Sequence, residues 1–151
     1  MTIALGLKTV LDSISDLAID GVEVRDIDKI PEVGTYRASL LFPDPTGFIT
    51  GLNVKRDSQG GGGTALMTVT YTLNYMFVFV PTGAMRNLAD IYANLVQRLI
   101  DIVEAMLEND DISGAVDMEV QEVPTIGVVV DPAGTSYHGC TLSLRITEFQ
   151  N

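Results

Sequence analysis

From Leu66 to Val80 the chain alternates residue by residue between two faces for fifteen positions, after the glycine run Gly60 to Gly63 and before Pro81-Thr82-Gly83. As a strand rising about 3.3 Å per residue it would reach about 50 Å. A compact chain of 151 residues has a radius of gyration of about 15 Å, hence a diameter of about 40 Å. The stretch must cross the whole domain or project beyond it, and a projecting strand meets another chain. One face reads Met67, Val69, Tyr71, Leu73, Tyr75, Phe77, Phe79. The other begins polar with Thr68, Thr70, Thr72 and Asn74, then turns apolar at Met76, Val78 and Val80. The first half is therefore expected to have one wet face and to project toward a partner. The second half is expected to be covered on both faces and to anchor the strand.

Phe48 to Arg56 reads as a second extended arm, and Asp57-Ser58-Gln59 followed by four glycines reads as a flexible connection. Together they predict a long protruding β-hairpin over residues 48–80. Upstream, Ile3, Leu7, Val10, Leu11, Ile14 and Leu17 keep helical spacing, with Thr2 as N-cap. Asp20-Gly21 is a turn, Val22 to Ile27 is extended up to Pro31, and Tyr36 to Phe42 alternate up to Pro43-Asp44-Pro45.

Downstream, apolar positions from Met85 to Leu107 predict a helix of over six turns, about 35 Å long. It runs into Glu108-Asn109-Asp110-Asp111, acids set against the negative end of its dipole. After Ser113-Gly114 a strand sets Val116, Met118 and Val120 opposite Asp117, Glu119 and Gln121. A last hairpin joins Ile126–Val130 to Tyr137–Thr147 through Asp131-Pro132-Ala133-Gly134, with His138, Cys140, Leu142, Leu144 and Ile146 on one face. The order predicts one α+β domain over 1–151, an antiparallel or mixed sheet packed against two helices.

Hydrophobic residues make up 46% of the chain, ample for a core, and a positive mean hydropathy means more apolar surface than one compact monomer readily hides, which favours an oligomer. No apolar run approaches the ~20 residues of a membrane-spanning helix, and Lys8, Asp12 and Asp16 are unlike an export leader. The single cysteine, Cys140, fits a reducing compartment. The net charge is −11, and between Leu99 and Leu144 there are nine acids and no lysine or arginine. Such a surface repels DNA. Nucleic-acid readers cluster their basic residues, whereas here only Lys55 and Arg56 are adjacent. The acids keep the protein soluble, avoid adhesion to nucleic acid, or meet a basic partner.

Residue types that could carry chemistry fall short of a site. His138 and Cys140 share a strand face directed at the core, whereas a thiol nucleophile needs a cleft and an orienting third group. One histidine and one cysteine make no zinc site. Asn109-Asp110-Asp111-x-Ser113 resembles a calcium loop without its acid spacing or closing glutamate, leaving at most a weak cation site at a subunit contact. Gly60 to Gly63 leads into a strand with no Lys-Ser or Lys-Thr pair, so it is no phosphate cradle. Asp26 and Asp28 share a strand face, with nothing to push one carboxyl apart from the other. No catalytic residue, cofactor or metal is expected.

Several local patterns resemble one family. They are Gly21-Val22-Glu23-Val24-Arg25-Asp26-Ile27-Asp28-Lys29-Ile30-Pro31, the run Ala38 to Pro43, Tyr71 to Pro81 leading into the long helix, and the final Tyr137 to Ile146 strand. This layout is similar to the tail terminator proteins of long-tailed bacteriophages. The resemblance implies an α+β virion protein with no enzymatic step, made in the host cytoplasm, that forms a homohexameric ring on the head-proximal end of the tail tube. Such a ring ends tube polymerisation, touches the tail tube protein and a head-completion or connector protein, and lets DNA pass without specific binding.

The expected subunit or partner interface, from this chain's own physics, is Lys55, Arg56, Gly60, Gly61, Gly62, Gly63, Thr68, Thr70, Thr72 and Asn74. Asp110, Asp111, Asp117 and Glu119 are expected to line the lumen or rim. The alternatives are another neck or head-completion ring, or a non-viral α+β protein that binds a small molecule between helix and sheet.

Overall fold

The computed structural model describes residues 6–27, 39–57, 66–83, 87–108, 111–112, 116–121 and 125–150. In chain order these form α1 (Leu7–Ser15), β1 (Glu23–Val24), β2 (Leu40–Pro43), β3 (Ile49–Asp57), β4 (Leu66–Pro81), α2 (Leu88–Glu108), β5 (Asp111–Ile112), β6 (Val116–Val120), β7 (Ile126–Val130) and β8 (Ser136–Gln150). The eight strands make one sheet in the order β1-β2-β4-β8-β6-β5, with β3 added to β4 and β7 added to β8. Only β1 and β2 run parallel, so the sheet is mixed and the fold is α+β.

The long alternating stretch crosses the domain; it does not project from it. β4 pairs antiparallel with β8 from Met67↔Gln150 to Pro81↔Tyr137. Each long strand carries two short ones end to end on its other side: β2 and β3 on β4, β7 and β6 on β8. The half expected to project is therefore paired on both sides, and its Val69, Tyr71 and Leu73 are buried. β3 and β4 do pair antiparallel, from Ile49↔Leu73 to Asp57↔Leu66. The connection that would form the tip, including Gly60, Gly61, Gly62 and Gly63, lies outside the described residues.

Period-two alternation sends one set of β4 and β8 side chains to the helices. Val69, Tyr71, Leu73, Tyr75 and Phe77 of β4 and Cys140, Leu142, Leu144 and Ile146 of β8 form the main core with Val10, Leu11 and Ile14 of α1 and Leu95, Leu99, Ile102 and Met106 of α2. Fully burying each large side chain contributes about 1.5–3 kcal/mol. Among the described residues the opposite face is filled at one end only, where Leu40, Phe42, Met76, Val78 and Tyr137 form a second cluster with Val129 against it. The covered half of the β4 pattern is thus where the sequence places it.

Two glycines are required by this geometry. Gly139 faces Val78 where the β4–β8 register slips, and a side chain there would collide with the Phe77 carbonyl oxygen. Gly51 sits at the β3 irregularity between Thr50 and Asn53 with φ 65°, a left-handed conformation that bulges the strand.

The helix starts differ from expectation. α1 begins at Leu7 with Gly6 as N-cap and no side-chain cap, and Thr2 lies outside the described residues. The Gly6 N–H instead donates to Glu148 Oε1 at 2.8 Å, from the far end of the chain. α2 begins at Leu88, and Met85 lies outside the described residues. Arg98 ties α2 to the turn after α1, donating to the Asp20 carbonyl at 3.2 Å and lying 3.7 Å from Asp101. Part of the strand expected over Tyr36 to Phe42 lies outside the described residues, and β2 itself runs Leu40–Pro43 with all four residues buried.

Candidate assembly surface

β3 is an edge strand, with β4 its only ladder partner among the described residues. Ile49 and Val54 stand opposite Leu73 and Val69 in the ladder and so point to the helix side. The helices do not reach that far, and Ile49, Leu52 and Val54 remain exposed, Leu52 at 66%. Between them and α1 lies an apolar hollow of about 200 Å³, lined by Leu7, Ile49, Leu52, Val69, Tyr71 and Glu148.

The floor of the hollow carries one ionisable cluster. Glu148 is 2% exposed, and its second oxygen accepts a hydrogen bond from the Tyr71 hydroxyl at 3.0 Å. Its carboxylate thus takes donors from Gly6 and Tyr71 beside the positive end of the α1 dipole. Burial, with the Glu148 charge and hydrogen bond adding to it, holds the Tyr71 hydroxyl well above the usual phenol range. Neither residue stands out in the sequence as a pair. They are 77 positions apart, and only the β4–β8 ladder brings them together.

The residues expected at the interface divide. Lys55 and Arg56 are exposed on β3, opposite Thr68 and Met67 respectively. Lys55 therefore shares the open, helix-free face with the threonines, and Arg56 points to the helix side. Thr68, Thr70, Thr72 and Asn74 are half-buried on that open face between β3 and β8. Asn74 is engaged internally: its amide donates to the Gly47 carbonyl at 2.8 Å and Thr50 Oγ1 at 3.1 Å, and its oxygen accepts from Ser143 Oγ at 2.8 Å. It holds β3 and β8 to β4.

Of the expected rim acids, Asp117 and Glu119 are exposed on β6, the far side of the same sheet. Asp111 lies on β5, opposite Asp117 in the ladder, and Asp110 lies outside the described residues. The structure brings Lys55 together with the threonines, and places Asp117 and Glu119 two strands away across β4 and β8.

In comparisons with known proteins, no family model and no curated protein matches this chain.

Two further apolar surfaces are exposed. On α2, Val96, Ile100 and Leu107 form a stripe beside the buried one, at the three-four spacing of a helix face. Glu104 and Glu108 are exposed next to it. On β7, Ile126, Val128 and Val130 are exposed on the helix side. The β3 strip is foreshadowed in the sequence by Ile49, Leu52 and Val54, but its exposure depends on how far the helix layer extends, which local pattern does not encode.

His138 and Cys140 both point into the core. Burial pushes the Cys140 thiol up to about 12, so it is a neutral thiol at pH 7 and not a thiolate nucleophile. His138 Nδ1 lies 2.8 Å from the Tyr92 hydroxyl, with the rings edge to face. Among the described residues no group of three His, Cys, Asp or Glu is placed to hold a metal ion, and no helix is long and apolar enough to cross a membrane.

Proposed function

We propose that this protein is a structural ring subunit of a phage tail, a tail terminator that caps the tail tube, ends its polymerisation and presents the head-joining surface. The observation that carries this reading is the exposure of large apolar side chains on separate parts of one small subunit: β3, the outer stripe of α2, and β7. A soluble monomer scatters such side chains singly. A head-to-tail ring needs two different patches per subunit, and a ring that also seats on a tube needs a third. The family resemblance of the sequence points the same way. Net charge −11 suits a channel through which DNA passes without adhering.

The small-molecule reading would use the hollow beside β3. At about 200 Å³ it is smaller than the roughly 300–1,000 Å³ of ordinary ligand sites, and it better fits a single apolar side chain. Native mass spectrometry and negative-stain imaging of the purified chain test the proposal. A closed six-membered ring that halts tube growth when added to polymerising tail tube protein supports it. A monomer at all concentrations, or a ring without effect on tube length, refutes it.

A further inference from the structure

Resting on that reading, we infer which two surfaces of the subunit meet: the β3 edge with its hollow receives, head to tail, the acidic β6–α2 side of a second copy of this chain. The argument is complementarity in both charge and shape. The β3 edge offers a strand edge with no ladder partner among the described residues, the exposed Lys55 on the open face and Arg56 on the helix side. No other two bases adjoin in the sequence. The opposite side of the sheet offers the matching signs on the matching faces. Asp117 and Glu119 of β6 stand on the open face, opposite Thr147 and Arg145 of β8, and Glu104 and Glu108 are exposed on α2.

The apolar parts match as well. α2 packs over β6 and carries Leu107, 54% exposed, between its two acids. The hollow beside β3 is open, apolar, and sized for one such side chain. On the helix side Arg56 and the hollow would meet Leu107, Glu104 and Glu108, and on the open face Lys55 would meet Asp117 and Glu119. The two surfaces lie on opposite sides of one subunit, so the contact is heterologous and not a two-fold dimer, and it makes a ring where the rotation between copies closes. Opposite charges fix the register and suppress the wrong pairing of two basic or two acidic edges. Asp117 and Glu119 then face a neighbour, where the lumen reading would have them face DNA.

Charge reversal with rescue tests this on the full chain. Lys55→Glu with Arg56→Glu should weaken ring assembly at least about tenfold at low salt, measured by sedimentation velocity over a concentration series. Asp117→Lys with Glu119→Lys should do the same. All four substitutions in one chain should recover most of the lost assembly. All four side chains are exposed, and unchanged circular dichroism melts confirm intact folds. Either pair assembling like the parent, or the fourfold variant failing to recover, overturns the inference. Normal rings with slowed DNA passage in the Asp117 and Glu119 variant also overturn it, in favour of lumen acids. In all three cases the parent chain still forms its ring, so the proposed function stands. A parent chain that never forms rings refutes both, and a ring that forms through these edges but ignores tail tubes refutes only the tail terminator role.

Discussion

The β4–β8 pair has two ends with the same backbone plan and different side chains. At the end reached by Pro81 and Tyr137, β2 and β7 flank the pair, and apolar residues fill both faces. At the end reached by Met67 and Gln150, β3 and β6 flank it, and only the helix side is apolar. On the open side stand Thr68, Thr70 and Thr72 of β4 with Lys55 of β3 and Asp117 and Glu119 of β6. At the first end the β4–β8 pair is built to be solid and contact is left to the outer strand β7 with its exposed Ile126, Val128 and Val130; at the second the pair itself is open to be met. Where both faces are filled, the strand has no surface left for a partner; where one is polar and its edge strand is bare, stability comes from one core layer and the rest is available for contact.

The largest expected break in this comparison is Gly139→Ala, in the solid end. The added methyl would collide with the Phe77 carbonyl, an atom fixed in the ladder between two cores. Close-packed interiors transmit such strain, so a loss of about 3 kcal/mol or more is expected, seen as a large fall in the urea midpoint. Gly83→Ala is the control for glycine loss in a roomy turn, since a side chain there meets nothing within 4 Å and its backbone is not left-handed. A mild effect of Gly139→Ala would mean that the solid end is less tightly packed than its geometry implies.

At the open end the one buried charge is the sensitive point. In Glu148→Gln the amide oxygen accepts from Gly6 at the start of α1 without the charge, and the amide nitrogen cannot accept from Tyr71, so two charge-assisted hydrogen bonds are weakened or lost. The expected cost is about 1.5–3 kcal/mol, with α1 amides exchanging faster while those of β2 and β7 keep their protection. Uniform loosening of both ends would contradict a division of labour along the sheet. The same cluster sets an alkaline limit. Burial raises the Tyr71 hydroxyl above its ordinary 10.0, and burial does the same for Tyr75. A raised folded value means that the folded state holds the proton more tightly. The stabilisation is therefore complete below pH ~10 and lost as pH rises above it, and a thermal-melt series from pH 8 to 12 should show the fall beginning there.

The alternation from Met67 to Phe79 and the change at Met76 were legible because a strand's two faces are written directly in its sequence. The long helix was legible for the same reason, since Leu95, Leu99, Ile102 and Met106 keep one face. What β4 does with its length was not. A strand of sixteen residues is explained by a partner of fifteen, β8, and β8 hides its length by ending its apolar face with Glu148. That charge looks like a strand end until Gly6, 142 positions away, supplies the donor that buries it. The same limit applies to the candidate surface. Lys55 and Arg56 could be named as an adjacent basic pair. That the helix layer stops short of Ile49, Leu52 and Val54, leaving a hollow beside them, is a property of three elements together.

The smallest effect gives the sharpest test, because it exchanges one residue type between the two ends. Val78 and Thr70 both face away from the helices on β4, Val78 buried in the second cluster and Thr70 half-buried between Asn53 and Thr147. Val78→Thr puts a hydroxyl among Leu40, Phe42 and Tyr137 and should cost about 1–3 kcal/mol. Thr70→Val keeps the β-branched shape on a partly solvated face, and strand propensity tolerates either residue. Its expected effect on monomer stability is within about 0.5 kcal/mol of zero. Equal costs for the two swaps, measured by urea unfolding under conditions where the chain is monomeric, would erase the distinction between a solid end and a meeting end. A Thr70→Val variant neutral in monomer stability and unchanged in assembly would sharpen it further, placing the contact at the β3 edge and its hollow and not on the threonine face.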